Sequence, residues 1–593
     1  MRFIRRYFDV LVVTVAVVAY AFVTLWPASR ELFRPLHPDT IIGDGTDQRG
    51  LVWEYEIIWN TMREHPARLF FGAVFTFMRD APEGTAMWIP WNEKFVVLLV
   101  HPFTTESTRA TAVAWVLLTL NGLGVAWLGR SFKWPWYVTL PVALAFSCNP
   151  YTRGRTAVHM ALCCIFYLPL VLGALERLAT IPNTATFREA RGTLAKCTIA
   201  FLLAGTASHY YLLITAVSVP MFVWFLWLRM RDGRVDITPK RIAWIVMASA
   251  PAILFLGWCF LMPVPPSLKS HIHAFPAADP NVALAYLHDV GAHPIDYFGG
   301  DVKLGVLDVI KLRSEINTFI LTHIDSSHPQ ERANGIRWTF IALAIAAIGS
   351  FAHLPRSLAN ARGRRLFVFL MGLASFAFLM SLSPRGIRFY EDDVAPSLFV
   401  NKLLPNLRVP SRWGPVVGLA VTMMGAQWLT RVSRSENKRV AGFGKALSGL
   451  VAVLVVVELL PLNPMMLAPV RPAHSELVRP SGACGMGIFL PFQIYDYWAT
   501  EETRGTPCAL VYPSYEGEAA QLEGLAGYVA LQPANPRFVA LAKCMGIDWL
   551  VFRQPVVKAT CDALGFEVVH PDSCRSPHVE PVKRTLRECM AAH

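Results

Sequence analysis

The stretch IIGDGTDQR, residues 41–49, places two carboxylates beside glycines directly after the first long apolar segment of the chain. Asp44 lies between Gly43 and Gly45, and Asp47 follows three residues later. Glycine lets the backbone approach a bound substrate closely, and a neighbouring apolar wall raises the pKa of a carboxyl group. Asp44 is therefore a candidate general base, with a turn cap as the alternative. For Asp47, capping of the amphipathic segment that follows explains the residue equally well.

Polar residues also collect at the ends of later apolar segments. The stretch NPYTRGR contains Arg153, and His159 lies about one helical turn inside the fourth apolar run. The stretch SHYY contains His209 and Tyr210, at a tight turn between the fifth and sixth runs. Polar side chains at such a depth are costly unless they line a cavity. We interpret these four residues as candidates for substrate binding; the alternative is that each histidine is an ordinary packing residue.

The loop before the tenth apolar run supplies arginines. It reads PRGIRFYEDDVAPSLFVNKLLPNLRVPSR and includes Arg385, Arg388, Arg408 and Arg412. A guanidinium group binds a phosphate through two parallel hydrogen bonds. Arg408 and Arg412 are the preferred phosphate ligands, because LRVPSR enters the apolar run directly and its proline restricts the approach. Simple attraction to anionic lipid headgroups is the alternative.

The composition is that of a polytopic membrane protein. Of the 593 residues, 54% are hydrophobic and 16% are charged, and the mean hydropathy is +0.39. A soluble protein of this composition would lack polar surface. The net charge of +13 does not indicate nucleic-acid binding, since the basic residues are spread over short loops and are not gathered in one patch.

Apolar runs of the length needed to cross a bilayer predict about eleven transmembrane helices. The runs cover approximately residues 8–28, 109–129, 134–149, 156–176, 193–207, 209–228, 242–263, 336–354, 365–383, 412–431 and 445–463. The run 95–104 is broken by His101 and Pro102 and is too short to cross. We expect it to be re-entrant or interfacial.

Basic residues in the connecting loops predict the orientation. With Arg2, Arg5 and Arg6 in the cytoplasm, every other short basic loop falls on the same side. The first helix is expected to stay uncleaved, although its basic start and apolar centre also fit a signal peptide. The prediction is a transmembrane part, 1–463, with outer loops 29–108, 264–335 and 384–411, followed by an outer tail, 464–593.

The tail has the pattern of a small α/β domain. Strand-like runs such as GIFLPF and CALVYP alternate with helix-like runs such as PRFVALAKCMG. The tail also holds an even set of cysteines, namely Cys484, Cys508, Cys544, Cys561, Cys574 and Cys589. Outside the cytoplasm this set predicts one to three disulfides, with the pairing open. Metal binding is a weaker alternative, because no spacing typical of a metal site occurs in the tail or in the histidine-rich loop 264–335.

Taken in order, the motifs GDGTDQ, NPYTRGRTAVHM, SHYYLL, LPNLRVPSRW, GIFLPF and LAKCMGIDWLVF resemble bacterial multi-pass glycosyltransferases of the GT-C superfamily and their uncharacterised relatives. The resemblance covers nearly the whole chain. It implies a polyprenyl-phosphate sugar as donor, an active site open to the outer face, and an acidic residue of the first outer loop as base. That role falls to Asp44, with Asp47 as the second candidate. Family members often carry D-x-D or E-x-D, and the D-x-x-D of this chain leaves the cofactor unknown; a divalent metal is compatible but not required.

The sequence therefore predicts a GT-C-like α-helical protein of the bacterial inner membrane with a small periplasmic α/β domain. Surrounded by membrane lipids, it would move a sugar from a polyprenyl-phosphate donor to a cell-envelope glycan or lipid acceptor. A single displacement needs one base and positive charge at the departing phosphate, which Asp44, Arg408 and Arg412 would supply. A glycolipid transporter or flippase and a non-catalytic envelope scaffold are the alternatives; no two-fold repeat typical of many transporters is evident.

Overall fold

A computed structural model provides the structure of the protein. It describes residues 2–33, 40–43, 51, 55–56, 58–59, 62–63, 66, 91–157, 159–229, 238–261, 292, 294–297, 335–336, 338–353, 361–383, 388–389, 392–393, 396–403, 409–459, 465, 467–469, 486–490, 536–545, 547–552, 558–570 and 573–577. Within these residues the architecture is mainly helical, and helices lie where the sequence predicts apolar runs.

The first half of the chain packs around one long helix. Its helices are α1 (Arg2–Thr24), α2 (Ala28–Glu31), α3 (Trp91–Val100), α4 (Glu106–Ser131), α5 (Trp136–Ser147), α6 (Pro150–Ala157), α7 (Tyr167–Ala179) and α8 (Phe187–Gly205). Helix α4 contacts α1, α2, α3, α5 and α7. A Cβ atom on Gly122 of α4 would lie 2.4 Å from a methyl group of Val17. Only glycine at this position lets α1 pack so closely.

The fourth apolar run, expected as one helix over 156–176, is broken. Helix α6 ends at Ala157, a 3₁₀ turn covers Met160–Leu162, and α7 begins further along the chain. The side chain of Asn121 in α4 donates to the Cys163 carbonyl and accepts from the Ile165 N–H, each at 2.9 Å. These bonds satisfy buried backbone groups that the break releases. The expectation of one continuous helix is therefore wrong.

The second half adds the helices α9 (His209–Val217), α10 (Val219–Arg229), α11 (Pro239–Leu261), α12 (Trp338–His353), α13 (Ala361–Ser381), α14 (Pro396–Leu403), α15 (Gly414–Ser433) and α16 (Lys438–Leu459). Helices α9 and α10 follow each other along one apolar stretch that bends by 48°. Pro220, the second residue of α10, cannot donate the next intrahelical hydrogen bond, which explains the bend.

By length and hydropathy, two described helices can cross a membrane, Glu106–Ser131 and Lys438–Glu458. The bent pair Tyr210–Val217 and Val219–Arg229 adds a third if it forms one span. Shorter apolar helices are Val10–Thr24, Trp136–Ser147, Trp338–Ser350 and Arg365–Ser381. The number of crossings given by the apolar runs therefore stays a prediction.

One end of the helical body gathers basic loops. Arg434, after α15, donates a hydrogen bond to the carbonyl of Lys133, after α4. Arg241, at the start of α11, donates to the Ala179 carbonyl at the end of α7. We call this end, marked by Lys133, Arg177, Arg241 and Arg434, the basic end. Loops that the orientation argument places on one side of the membrane thus lie together.

The opposite end carries the first strand pair. Strand β1 (Thr40–Ile42) runs antiparallel to a later strand, Leu467–Pro469, with Ile41 opposite Ala468. The backbone N–H of Met465 donates to the Trp26 carbonyl at 2.8 Å. The start of the tail therefore contacts the chain that follows α1, and we call this the strand end.

Eight strands, β1 to β8, are described in all. A two-stranded pair consists of β2 (Arg388–Phe389) and β3 (Asp392–Asp393), and β1 pairs with β4 (Leu467–Pro469). The others are β5 (Met486–Leu490), β6 (Ile547–Phe552), β7 (Glu567–His570) and β8 (Ser573–Arg575), in the order β5-β6-β8-β7. Strand β5 is parallel to β6, and the remaining pairs are antiparallel.

The same part of the tail contains helices and disulfides. Helices α17 (Pro536–Met545) and α18 (Lys558–Leu564) accompany the sheet. A disulfide joins Cys561 to Cys574, and Cys544 is also disulfide-bonded. Disulfides of the predicted kind are thus present, while the assignment of 464–593 to one periplasmic domain stays a prediction.

Candidate functional site

Side chains of the first long loop attach it to α3 and α4. The Glu56 carboxylate pairs with the Arg109 guanidinium and lies 3.2 Å from Nε2 of His101. The Trp59 ring stacks on the His101 ring, with the centroids 4.4 Å apart. These contacts attach Glu56 and Trp59 to the start of α4 and to His101 just before it, and β1 also contacts α4.

Glu93 is a carboxyl group enclosed by the protein near the start of α3, where its side chain is 1% exposed. Its Oε1 accepts a hydrogen bond from the Tyr55 hydroxyl at 2.5 Å, and its Oε2 has no hydrogen-bond partner in the part of the chain that the structure describes. Burial raises the pKa of this carboxyl to about 7, against the opposing effect of the Tyr55 hydrogen bond. Enclosure therefore favours the protonated form of this carboxyl.

Asn92 joins the start of α3 to two other segments. Its Nδ2 lies 2.7 Å from Sγ of Cys164, in the break before α7, and its backbone N–H donates to the Thr206 carbonyl after α8. Helix α3 has ten residues, so it is about 15 Å long, half of the hydrocarbon thickness of a bilayer. A 3₁₀ turn, His101–Phe103, follows it. The described part of this segment is short, and its assignment as re-entrant or interfacial stays a prediction.

Buried tyrosines connect the break to α6 and α9. Tyr211 donates its hydroxyl proton to the Leu162 carbonyl at 2.5 Å, and it accepts from the Tyr151 hydroxyl at 2.8 Å. Its ring stacks on Tyr167, with the centroids 4.8 Å apart. The fully buried guanidinium of Arg155 lies 4.9 Å from the centre of the Tyr151 ring.

Enclosed polar residues meet the break before α7 at two points, since Asn92 contacts Cys164 and Tyr211 bonds to the Leu162 carbonyl. We call Asn92, Glu93, Tyr151, Arg155 and Tyr211 the polar cluster. In the low-dielectric interior hydrogen bonds orient Asn92, Glu93, Tyr151 and Tyr211, and the Tyr151 ring contacts the Arg155 guanidinium.

Arg412 and Tyr210, which the sequence suggested separately, contact each other. The guanidinium carbon of Arg412 lies 4.3 Å from the centre of the Tyr210 ring. The Tyr210 hydroxyl accepts a hydrogen bond from the backbone N–H of Val409, immediately before the 3₁₀ turn Pro410–Trp413. A cation–π contact and a backbone hydrogen bond thus orient this guanidinium at the entrance to α15.

Helix lengths give the depth of these residues. Helix α8 has 19 residues, α15 has 20, and α9 and α10 have nine and 11. Helix α8, helix α15 and the bent pair of α9 and α10 are therefore each about 30 Å long. They connect the basic end to Thr206, Arg412 and Tyr210, respectively. About 30 Å is also the thickness of the hydrocarbon core of a bilayer. Arg412 thus lies roughly one bilayer thickness from the basic end, whereas Tyr211 of the polar cluster stacks on Tyr167 at the start of the 13-residue helix α7, about 20 Å from that end.

The other predicted site residues divide into two groups. Arg153 is buried in α6, His159 begins the 3₁₀ turn whose last carbonyl binds Tyr211, and His209 is the first residue of α9. Asp44, Asp47 and Arg408 lie outside the described residues, so their placement stays a prediction. The last described residue before Asp44 is Gly43, whose φ of 102° is a conformation that favours glycine.

Sequence reasoning missed several members of the polar cluster. Glu93 and Lys94 stand directly before an apolar run in a chain with few charged residues, and that contrast was the available signal. Tyr151 and Tyr211 belong to motifs that were noticed for their neighbours. The role of Asn121 had no local signal, because its partners lie 42 and 44 residues away. Among the described residues, no group of three or more His, Cys, Asp or Glu side chains could hold a metal ion.

Comparisons with known proteins return solved structures only. No protein-family model and no curated protein matches this chain. Arabinofuranosyltransferase AftD from mycobacteria is similar, with a TM-score of 0.46 and 15% identity over 93% of this chain and 35% of AftD. This chain therefore spans about a third of the length of AftD.

ArnT from Cupriavidus metallidurans is similar in two states. The apo structure gives a TM-score of 0.35 and 12% identity over 95% of this chain and 97% of ArnT. The structure bound to undecaprenyl phosphate gives a TM-score of 0.35 and 14% identity over 96% of this chain and 98% of ArnT. AftD and ArnT are GT-C glycosyltransferases, the superfamily that the motifs of this chain resemble. At these identities no residue role passes from either protein to this chain.

Proposed function

We propose that this protein transfers a sugar from a polyprenyl-phosphate donor to a cell-envelope glycan or lipid acceptor at the outer face of a bacterial inner membrane. The observation that carries the proposal is the guanidinium of Arg412, held on Tyr210 about one bilayer thickness from the basic end. A lipid phosphate at a membrane surface lies at this depth, and a pre-oriented guanidinium is suited to bind it.

The proposed reaction is a single displacement at the anomeric carbon of the donor. The acceptor hydroxyl oxygen forms a bond to this carbon while the bond from the carbon to the phosphate oxygen breaks, which inverts the configuration. The carboxylate of Asp44 takes the hydroxyl proton. Arg412, together with Arg408, stabilises the negative charge on the departing polyprenyl phosphate. Asp47 either assists Asp44 or caps the following helix.

Glu93 has a different part in this proposal. With 1% of its side chain exposed, it cannot reach an acceptor hydroxyl, so it is not the base. Its hydrogen bond to Tyr55 connects α3 to the first loop, and the contact of neighbouring Asn92 with Cys164 connects α3 to the break before α7. We therefore assign Glu93 as a positioning residue.

The tail is proposed to help bind the acceptor. The pairing of Ile42 with Leu467 brings the start of the tail beside the segment that leads to Asp44. An acceptor held by the tail would then approach the candidate base from the strand end. The N-terminus is proposed to face the cytoplasm and the tail the periplasm, as the basic loops predict.

The test is a transfer assay on the full chain in vesicles supplied with a panel of polyprenyl-phosphate sugars. We expect the wild type to release polyprenyl phosphate and glycosylate an added envelope glycan or glycolipid. The Asp44→Asn variant should lose this activity, and Glu436→Gln, at an exposed carboxylate of the basic end, serves as the matched control. Undiminished transfer by Asp44→Asn would exclude the assigned base. Movement of intact donor across the bilayer without cleavage would replace the transferase proposal by a flippase.

A further inference from the structure

A cavity of about 510 Å³ opens at the basic end, on the opposite side of the bundle from the polar cluster. Its wall includes Arg130 and Lys133 from the end of α4, Arg177 from α7, and Glu189 from the first turn of α8. We call it the basic-end pocket. Its volume falls in the range of small-molecule sites, about 300–1,000 Å³.

Arg177 is held in place within this pocket. Its Nε donates to Oγ of Ser131 at 2.8 Å, and its guanidinium carbon lies 4.0 Å from the centre of the Trp127 ring. Stacking on Trp127 and one hydrogen bond therefore fix the plane of the Arg177 guanidinium group. The two Nη groups make no hydrogen bond to other residues that the structure describes, and they are the donors that a bidentate anion uses.

Lys133 occupies a backbone position that normally belongs to glycine. Its φ is 60°, and it ends α4 in a Schellman motif in which Trp134 N–H donates to the Gly129 carbonyl at 2.7 Å. A residue with a Cβ in this left-handed conformation costs about 1 kcal/mol or more. The chain therefore carries an exposed cation at a position where glycine would favour folding.

Three cations and one carboxylate are among the described residues that line the pocket. Glu189 is its only acidic lining residue among those described, and its Oε2 accepts from the backbone N–H of Thr186 at 2.6 Å and from the Thr186 hydroxyl at 3.0 Å. This capping box holds the carboxylate at the helix start. The N-terminal end of α8 adds further positive potential.

We propose that the basic-end pocket binds a phosphate group, presented by the headgroup of an anionic glycerophospholipid. Arg177 would grip the phosphate with its two Nη groups, and Arg130 and Lys133 would neutralise the remaining charge. The volume exceeds that of a phosphate alone and accommodates the attached glycerol. The pocket lies at the opposite end of the bundle from the proposed sugar-transfer site and would be a lipid-binding site independent of it.

The test uses the full chain in phosphatidylcholine nanodiscs. Native mass spectrometry measures how much added phosphatidylglycerol stays bound, and a titration with glycerol 3-phosphate measures binding of the free anion. Lys133→Gly removes the cation and relieves the backbone, so a folding defect cannot explain lost binding. Lys196→Gln is the matched control, because Lys196 is an exposed cation on α8 that does not line the pocket.

We expect wild type to retain phosphatidylglycerol, Lys133→Gly and Arg177→Gln each to weaken binding about tenfold, and Lys196→Gln to bind as wild type does. The same variant pattern with glycerol 3-phosphate but no retained lipid would support a phosphate site supplied by a free ligand. Equal losses in Lys133→Gly and Lys196→Gln would show attraction to the whole basic end and overturn the proposal. Absence of binding to both probes would overturn it too.

Discussion

The two ends of the described bundle differ in how far their charged side chains are exposed. At the basic end, Lys133 and Arg434 are exposed, and Arg434 bonds to the Lys133 carbonyl, while Arg241 is enclosed and bonds to the Ala179 carbonyl. In the polar cluster, Glu93 and Arg155 are enclosed. Exposed cations are screened and respond to any anion nearby, whereas enclosed groups keep their orientation and act strongly on a ligand beside them. The difference suggests membrane contact at one end and chemistry at the other.

The largest effect should come from Arg412→Gln. This change removes the oriented guanidinium and keeps the Tyr210 ring. We expect sugar transfer to fall about 10²–10³-fold, the loss seen when one oriented donor to a developing anion is removed. Arg434→Gln removes a cation at the basic end and should transfer at the wild-type rate. Equal losses in the two variants would remove the functional distinction between the ends.

Glu93→Gln tests whether enclosure controls protonation in the polar cluster. Folded Glu93 keeps its proton up to a pKa of about 7, against an ordinary 4.5. The folded state therefore binds more protons between these values, and wild-type stability should decrease as the pH rises through them and stay level above. At pH 8 the variant should be more stable by on the order of 3 kcal/mol. Unfolding midpoints measured against pH check this, and parallel curves for the two proteins would contradict it.

Asn121→Ala tests the break before α7. The substitution leaves the Cys163 carbonyl and the Ile165 N–H without their side-chain partner. We expect a loss of about 2 kcal/mol in the free energy of unfolding, because both groups are buried. Thr119→Ala is the control, since the Thr119 hydroxyl bonds only within its own helix. A loss no larger than that of the control would show that the break does not depend on Asn121.

The smallest effect concerns the backbone of the basic end. Lys133→Gly should raise the free energy of unfolding by about 1 kcal/mol, because glycine adopts a positive φ without strain. Lys133→Ala, which retains a Cβ, should bring no such gain. Thermal unfolding in detergent compares the three proteins. A less stable glycine variant would mean that the lysine side chain itself stabilises the fold.

The sequence was informative where the cause is local. Hydropathy placed the helices, and the distribution of Lys and Arg grouped loops that the structure brings together through Arg434 and Arg241. Arg412 and Tyr210 were each noticed at the entrance to an apolar run, and they contact each other. Cysteine count and compartment predicted disulfides, of which Cys561–Cys574 is one.

The sequence was insufficient to predict features that depend on residues far apart along the chain. The apolar run 156–176 looks like one helix until Asn121 supplies partners for its broken backbone. Glu93 gains its raised pKa only from surroundings assembled by several segments. The roles of Asp44, Asp47 and Arg408 stay predictions.

A density map of the protein with bound polyprenyl phosphate tests the central claim most directly. We predict that the phosphate lies within hydrogen-bond distance of the Arg412 guanidinium, above the Tyr210 ring, with Asp44 facing the position of the donor sugar. A polyprenyl phosphate bound elsewhere, with the surface around Arg412 empty, would contradict the account.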